Sequence, residues 1–196
     1  MIDTLSYIGK KLNEREVVWG VGASMLLNHY GLINRPNDID ILVDLKDIEE
    51  ADEILKSMGE KKKWEKKDTY STKYFYEYVI NGVDVDVMAG LCINHNNGMY
   101  RYIFDNSSII EVATIKGVNI QFSALEDWYV LYQLIPNREN KVRLLENYFN
   151  LYGIKNLDLL VSALNENLPE EVKTNIKRLL NKINKEKSLI LKGEEF

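Results

Sequence analysis

The sequence predicts an α+β fold: a mixed β-sheet with helices on one side, followed by a helical C-terminal region. Three observations carry that reading. Up to residue 58, short apolar segments alternate with amphipathic ones. Between residues 70 and 122, two strand pairs surround the turn dipeptides Asn81-Gly82 and Lys116-Gly117. After Ser123 the periodicity is helical almost to the end. The expected division is therefore a core over residues 1–122 and a helical region over 123–196.

Taken in order, Leu5, Ile8 and Leu12 recur at helical spacing and mark a helix over residues 4–14. Val17-Val18-Trp19 is a short apolar run that reads as a buried strand ending in a glycine turn. A helix over Ala23–Tyr30 stops at Gly31, a common C-terminal cap residue. Asn34-Arg35-Pro36-Asn37 is a turn by composition. Asp38–Asp44 is a strand with an apolar centre, and Ile48–Met58 an amphipathic helix closed by Gly59. The aromatic run Tyr70–Ile80 pairs through Asn81-Gly82 with Val83–Met88. A second hairpin joins Ile109–Ile115 to Val118–Phe122. The helices beyond are Ala124–Ile135, Glu139–Tyr152, Leu157–Asn165 and Glu170–Glu186, broken near Pro136 and Pro169.

Composition narrows the function classes. The 196 residues are 45% apolar, which is ordinary globular usage and not that of a disordered chain. No apolar run approaches the roughly 20 residues of a bilayer span, and the N-terminus lacks the layout of a secretory signal. A single cysteine, Cys92, excludes an internal disulfide framework and a Cys-rich zinc site. The expectation is a cytoplasmic protein with no membrane partner. The net charge of −5 also disfavours a nucleic-acid backbone as partner. The one dense basic stretch, Lys61–Lys67 (KKKWEKK), reads as the solvated edge of a strand or hairpin.

Three features carry chemistry. Gly20-Val21-Gly22-Ala23-Ser24 is a glycine turn that opens a helix, so its free N–H groups and the positive helix end suit an anion. It lacks the further glycine of a dinucleotide fingerprint and the Gly-Lys-Ser/Thr of a P-loop. In Asp38-Ile39-Asp40, strand alternation points both carboxylates to one face, a cage of hard oxygen donors for a divalent cation. In Val83-Asp84-Val85-Asp86-Val87 the same spacing recurs on a second apolar strand, although aspartate is disfavoured in strands. If the two strands are neighbours, three or four carboxylates converge, the arrangement of two-metal phosphoryl or nucleotidyl transfer. His29, Cys92 and the Tyr70–Tyr78 aromatics read as packing residues, and His95 as a loop residue.

A strand, a glycine turn, a helix, an Asp-x-Asp strand and a later strand with a further Asp together resemble the DNA polymerase β-like nucleotidyltransferase superfamily. WGVGASMLLNHYGLINRPNDIDILVD is similar to the small antibiotic-modifying adenylyltransferases, the lincosamide and aminoglycoside types. ALEDWYVLYQLIPNRENKVRLLENYF looks like the helical segment that follows the catalytic sheet in these and in toxin-like relatives. The resemblance spans residues 16–150.

What it implies is a metal-dependent nucleotidyltransferase. Such an enzyme moves a nucleoside monophosphate from Mg-NTP, with ATP the first choice, to a hydroxyl of an unidentified acceptor and releases pyrophosphate. A small molecule such as an antibiotic is the expected acceptor. The alternatives are a toxin-like enzyme acting on tRNA or protein, and an inactive nucleotide-binding homologue. By the same resemblance Asp38, Asp40 and Asp86 are the metal-binding and catalytic carboxylates for two Mg²⁺ ions, with Mn²⁺ an alternative ion and Asp84 the alternative third carboxylate. Gly20, Gly22, Ser24 and Arg35 are the nucleotide-binding residues. The chain departs from the family pattern in two places. Val21 separates glycines that are usually adjacent, and Tyr132-Gln133 stands where relatives often carry a lysine, with Arg138 and Lys141 one turn on.

Overall fold

The computed structural model describes residues 1–63 and 68–193, with side chains of the last helix described to Lys182. Among these residues the chain forms two compact units. The first comprises the described residues of 1–94 and 101–125, the second those of 95–100 and 126–193.

The first unit is built on a mixed seven-stranded sheet. Its strands are β1 (Trp19–Val21), β2 (Ile39–Val43), β3 (Glu60–Lys61), β4 (Tyr74–Ile80), β5 (Val83–Ala89), β8 (Glu111–Ile115) and β9 (Val118–Phe122), in the order β3-β4-β5-β2-β1-β9-β8. Three helices accompany it: α1 (Ile2–Glu14), α2 (Ala23–His29) and α3 (Ile48–Met58). β2 runs parallel to β5 and antiparallel to β1, and β1 runs parallel to β9. The α+β class with a mixed sheet is as the sequence predicts. Both hairpin dipeptides have the two positive φ values that their turn type requires, 51° and 73° at Asn81-Gly82 and 51° and 77° at Lys116-Gly117.

The three helices cover one face of the sheet. α1 turns Leu5, Ile8 and Leu12 inward, each wholly buried, and Gly9 lets it approach closely, since a Cβ there would come to 2.5 Å from Ile120. On α3, Asp52 reaches down to the hydroxyl of Tyr78 on β4. By alternation Trp19, Val21, Ile39, Ile41, Tyr78, Val85 and Val87 share this helix-covered face, and all are buried. The residues between them, Asp40 and Asp86 included, therefore point to the opposite face.

β1 is displaced from its expected position. The strand runs Trp19–Val21 rather than Val17–Trp19, because Gly20 and Val21 pair with Leu42 and Ile41 of β2. Gly20 is thus a strand residue, and the turn begins at Gly22. A side chain at Gly20 would meet the ring of Phe104 at 2.9 Å. Two short strands, β6 (Cys92–His95) and β7 (Gly98–Arg101), replace the loop expected around His95. Their sequences lack a period-2 apolar pattern, so only the turn Asn96-Asn97 hints at them.

The basic stretch is an edge, as far as it is described. Lys61 lies on β3, 2.6 Å from Asp52 and over the ring of Tyr76 at 3.2 Å. Lys62 points to the other face and pairs with Asp84 at 2.6 Å. Residues 64–67 of that stretch lie outside the described residues.

Asp52 is the polar centre beneath α3. Burial pushes its carboxyl up, but hydrogen bonds from Lys56, Lys61 and Tyr78 together bring it below its ordinary value. A carboxylate lowered on folding contributes stability above its unfolded value of about 4 and loses it as pH falls through the folded value. Asp52→Asn is expected to destabilise the fold by about 1–2 kcal/mol at pH 7, discounted for partial exposure. The difference from wild type should shrink as pH falls below about 4. Urea unfolding at pH 7 and pH 3 measures both effects, and a difference that is constant with pH would contradict the assignment.

The second unit is helical, with α4 (Leu125–Leu134), α5 (Glu139–Tyr152), α6 (Leu157–Ala163) and α7 (Glu170–Gly193). Its buried acid, Glu126, accepts hydrogen bonds from the backbone N–H groups of Lys155 (3.1 Å) and Asn156 (2.9 Å) ahead of α6. Among the described residues no helix is long and apolar enough to cross a membrane.

Candidate active site

The parallel pairing of β2 with β5 creates the site. It places Asp40 directly opposite Asp86, as Ile39 is opposite Val85 and Ile41 opposite Val87. Asp38 precedes β2 by one residue and lies at the same end. Each of Asp38, Asp40 and Asp86 offers a carboxylate oxygen within 4.8 Å of the others, and all three are half-buried. Like charges on neighbouring strands repel, and partial removal from water strengthens that repulsion. A group of oxygen donors at this separation matches what a hard divalent cation takes, and such a cation would relieve the strain.

Asp84 shares the face of Asp86 but does not join the cluster. β2 begins at Ile39, opposite Val85, so Asp84 lies beyond the end of its parallel partner. It is exposed and pairs with Lys62 instead.

The turn is tied to the carboxylates. The Gly22 N–H donates to the Asp40 carbonyl at 3.0 Å. The Ser24 hydroxyl, almost wholly buried, lies 3.1 Å from a carboxylate oxygen of Asp38 and 3.2 Å from its carbonyl. Ser24 therefore orients Asp38 through its side chain. Gly22 has φ −127° and ψ −163°, an extended conformation open to any residue. The positive φ of the turn falls on Ala23, at 42°. Leu26 N–H bonds back to the Gly22 carbonyl, so the N–H groups of Ala23, Ser24 and Met25 are the first-turn donors without a partner inside the helix.

Arg35 is exposed in the irregular segment that leads into β2. In the helical unit, Tyr132 is buried and Lys141 Nζ lies 3.4 Å from its hydroxyl and 4.9 Å from its ring centre. His29, read from sequence as packing, does more: it stacks on Phe122 and bonds to Glu111 at 2.8 Å. No local signal links these residues, because 82 positions separate His29 from Glu111.

No protein-family model matches the chain, and no curated protein sequence does at a significant level. Solved structures do. TM1012 from Thermotoga maritima, assigned as a nucleotidyltransferase, superposes with a TM-score of 0.59 at 23% identity, over 76% of this chain and 92% of its own. ANT(2″)-Ia in complex with adenylyl-2″-tobramycin gives 0.55 at 14% identity, over 92% and 97%. The solution structure of the antibiotic-resistance factor ANT(2″)-Ia gives 0.54 at 14% identity, over 95% and 96%. The chain therefore has the nucleotidyltransferase fold.

Proposed function

We propose that the protein is a metal-dependent nucleotidyltransferase that moves a nucleoside monophosphate, AMP first among them, from an NTP to a hydroxyl of a small-molecule acceptor, with release of pyrophosphate. The observation that carries this reading is the convergence of Asp38, Asp40 and Asp86 from two adjacent strands, beside the turn that opens α2. The fold supports it, and the complex of ANT(2″)-Ia with adenylyl-2″-tobramycin supports an adenylyl group as the cargo and a small molecule as acceptor.

Asp38, Asp40 and Asp86 would hold one or two Mg²⁺ ions, with Mn²⁺ as a substitute. Bound there, the ions would neutralise triphosphate charge and acidify the acceptor hydroxyl. Asp86 takes the proton of that hydroxyl. Ser24 holds Asp38 in place. The turn at Gly22 and Ser24 would present the N–H groups of Ala23, Ser24 and Met25 to phosphate oxygens, Gly20 lets Phe104 pack against the strand leading to it, and Arg35 would neutralise nucleotide charge.

Calorimetric titration with α,β-methylene-ATP tests the reading. Binding should require Mg²⁺, and equal affinity in the presence of a chelator would overturn the metal-dependent reading. Gly22→Val should weaken that binding at least about tenfold, or about 1.4 kcal/mol, because a branched side chain at the turn obstructs phosphate approach. The extended backbone at Gly22 accepts valine without φ strain, and the thermal midpoint of the variant is measured alongside. A folded Gly22→Val protein with wild-type affinity would make the turn purely structural.

A further inference from the structure

Ala23 opens α2 in a left-handed conformation, φ 42°, which is unfavourable for any residue with a Cβ. Such a conformation persists only where its surroundings over-determine it. α2 cannot do this alone. It is a seven-residue helix whose N-cap makes no side-chain hydrogen bond, and helices this short are marginal without tertiary support.

The Gly22–Asp40 and Ser24–Asp38 hydrogen bonds hold the turn itself, and further support comes at the far end of α2. His29 Nε2 lies 2.8 Å from one carboxylate oxygen of Glu111 on β8, and the Tyr30 hydroxyl donates to the other at 2.7 Å. The His29 ring stacks on Phe122 of β9, centroids 4.0 Å apart and planes 13° from parallel. Phe122 is the cross-strand partner of Glu111 and also the parallel partner of Val21, the residue before the turn. A closed circuit results: Val21 to Phe122, Phe122 to Glu111, Glu111 to His29, and back along α2 to Ala23. Glutamate is mildly disfavoured in strands, yet both carboxylate oxygens of Glu111 serve the end of α2.

We infer that Glu111 is a positioning residue, which with His29 and Tyr30 clamps α2 so that the Gly22–Ser24 turn keeps its strained form. Its described hydrogen bonds lie at the end of α2 opposite the turn. The clamp's consequence for phosphate binding rests on the nucleotidyltransferase reading; its consequence for the turn does not.

Amide hydrogen exchange on the full chain tests it. Glu111→Ala should accelerate exchange in the segment Gly22–Leu27 by about tenfold while leaving the β4–β5 hairpin at wild-type rates. Glu111→Gln should restore protection, since an amide can accept from Tyr30 and donate to a neutral His29. Tyr30→Phe, which removes one bond and keeps the ring, should give a smaller acceleration in the same segment and serves if Glu111→Ala does not fold. Wild-type exchange at the turn in both Glu111→Ala and Tyr30→Phe, or acceleration shared equally with β4–β5, would overturn the clamp. In parallel, Mn²⁺ alone should bind wild type and Glu111→Ala alike, whereas α,β-methylene-ATP with Mn²⁺ should bind the variant about tenfold more weakly. Equal losses for Mn²⁺ alone and for the nucleotide would overturn an effect confined to the turn. Failure of the wild type to bind the nucleotide would overturn the nucleotidyltransferase reading, and the exchange data would still decide the clamp.

Discussion

Asp40→Asn is expected to lower divalent-dependent nucleotidyl transfer by at least about a thousandfold, equivalent to about 4 kcal/mol of transition-state stabilisation. Asp40 stands opposite Asp86 in the β2–β5 ladder and two residues from Asp38. An amide keeps the shape and removes the charge that a cation needs. The fold should survive, because Asp40 lies on the face away from the helix-packed core and the substitution removes repulsion between neighbouring carboxylates. The thermal midpoint is therefore expected to equal or exceed that of wild type. Titration with Mg²⁺ and α,β-methylene-ATP provides an acceptor-independent readout. Equal affinities in wild type and Asp40→Asn, with Mg²⁺ present, would remove the carboxylates from the nucleotide site.

Asp86→Ala should reduce transfer far more than Asp84→Ala. Both aspartates lie on the same face of β5, but Asp86 contributes to the cluster while Asp84 is exposed and bound to Lys62. Loss of Asp86 removes the proposed metal ligand and the proposed proton acceptor together, an effect of about a hundredfold or more for the base alone. Loss of Asp84 removes an exposed ion pair, worth at most about 1 kcal/mol of stability. Steady-state rates of both variants, with any acceptor that supports turnover, decide the matter. The reverse order would transfer the role to Asp84 while leaving the general chemistry in place.

Much of the fold was legible from local pattern. Asn81-Gly82 and Lys116-Gly117 announced two hairpins, because only a few residues accept two consecutive positive φ values, and both turns have them. The amphipathic spacing of Leu5, Ile8 and Leu12 located α1, and those residues are buried. Less legible was β1. A glycine after an apolar run reads as a turn, yet Gly20 extends the strand because Leu42 pairs with it and Phe104 occupies the space a side chain would need. The β6–β7 pair was hinted at only by the turn Asn96-Asn97, because its residues follow no alternation.

The candidate site divides in the same way. Period-2 alternation is a property of the strand itself, so the sequence alone determined that Asp38 shares a face with Asp40 and that Asp84 shares one with Asp86. Which of the second pair approaches the first is a matter of register between strands more than 40 residues apart, and no local signal encodes it. Tertiary pairing aligned Asp40 with Asp86 and left Asp84 past the end of β2. It also assigned the positive φ to Ala23 instead of a glycine and directed the Ser24 hydroxyl to Asp38. The physical reason is common to all three. Backbone periodicity follows from each residue's own geometry, whereas register, strain and hydrogen-bond partners depend on contacts that exist only once distant segments have packed.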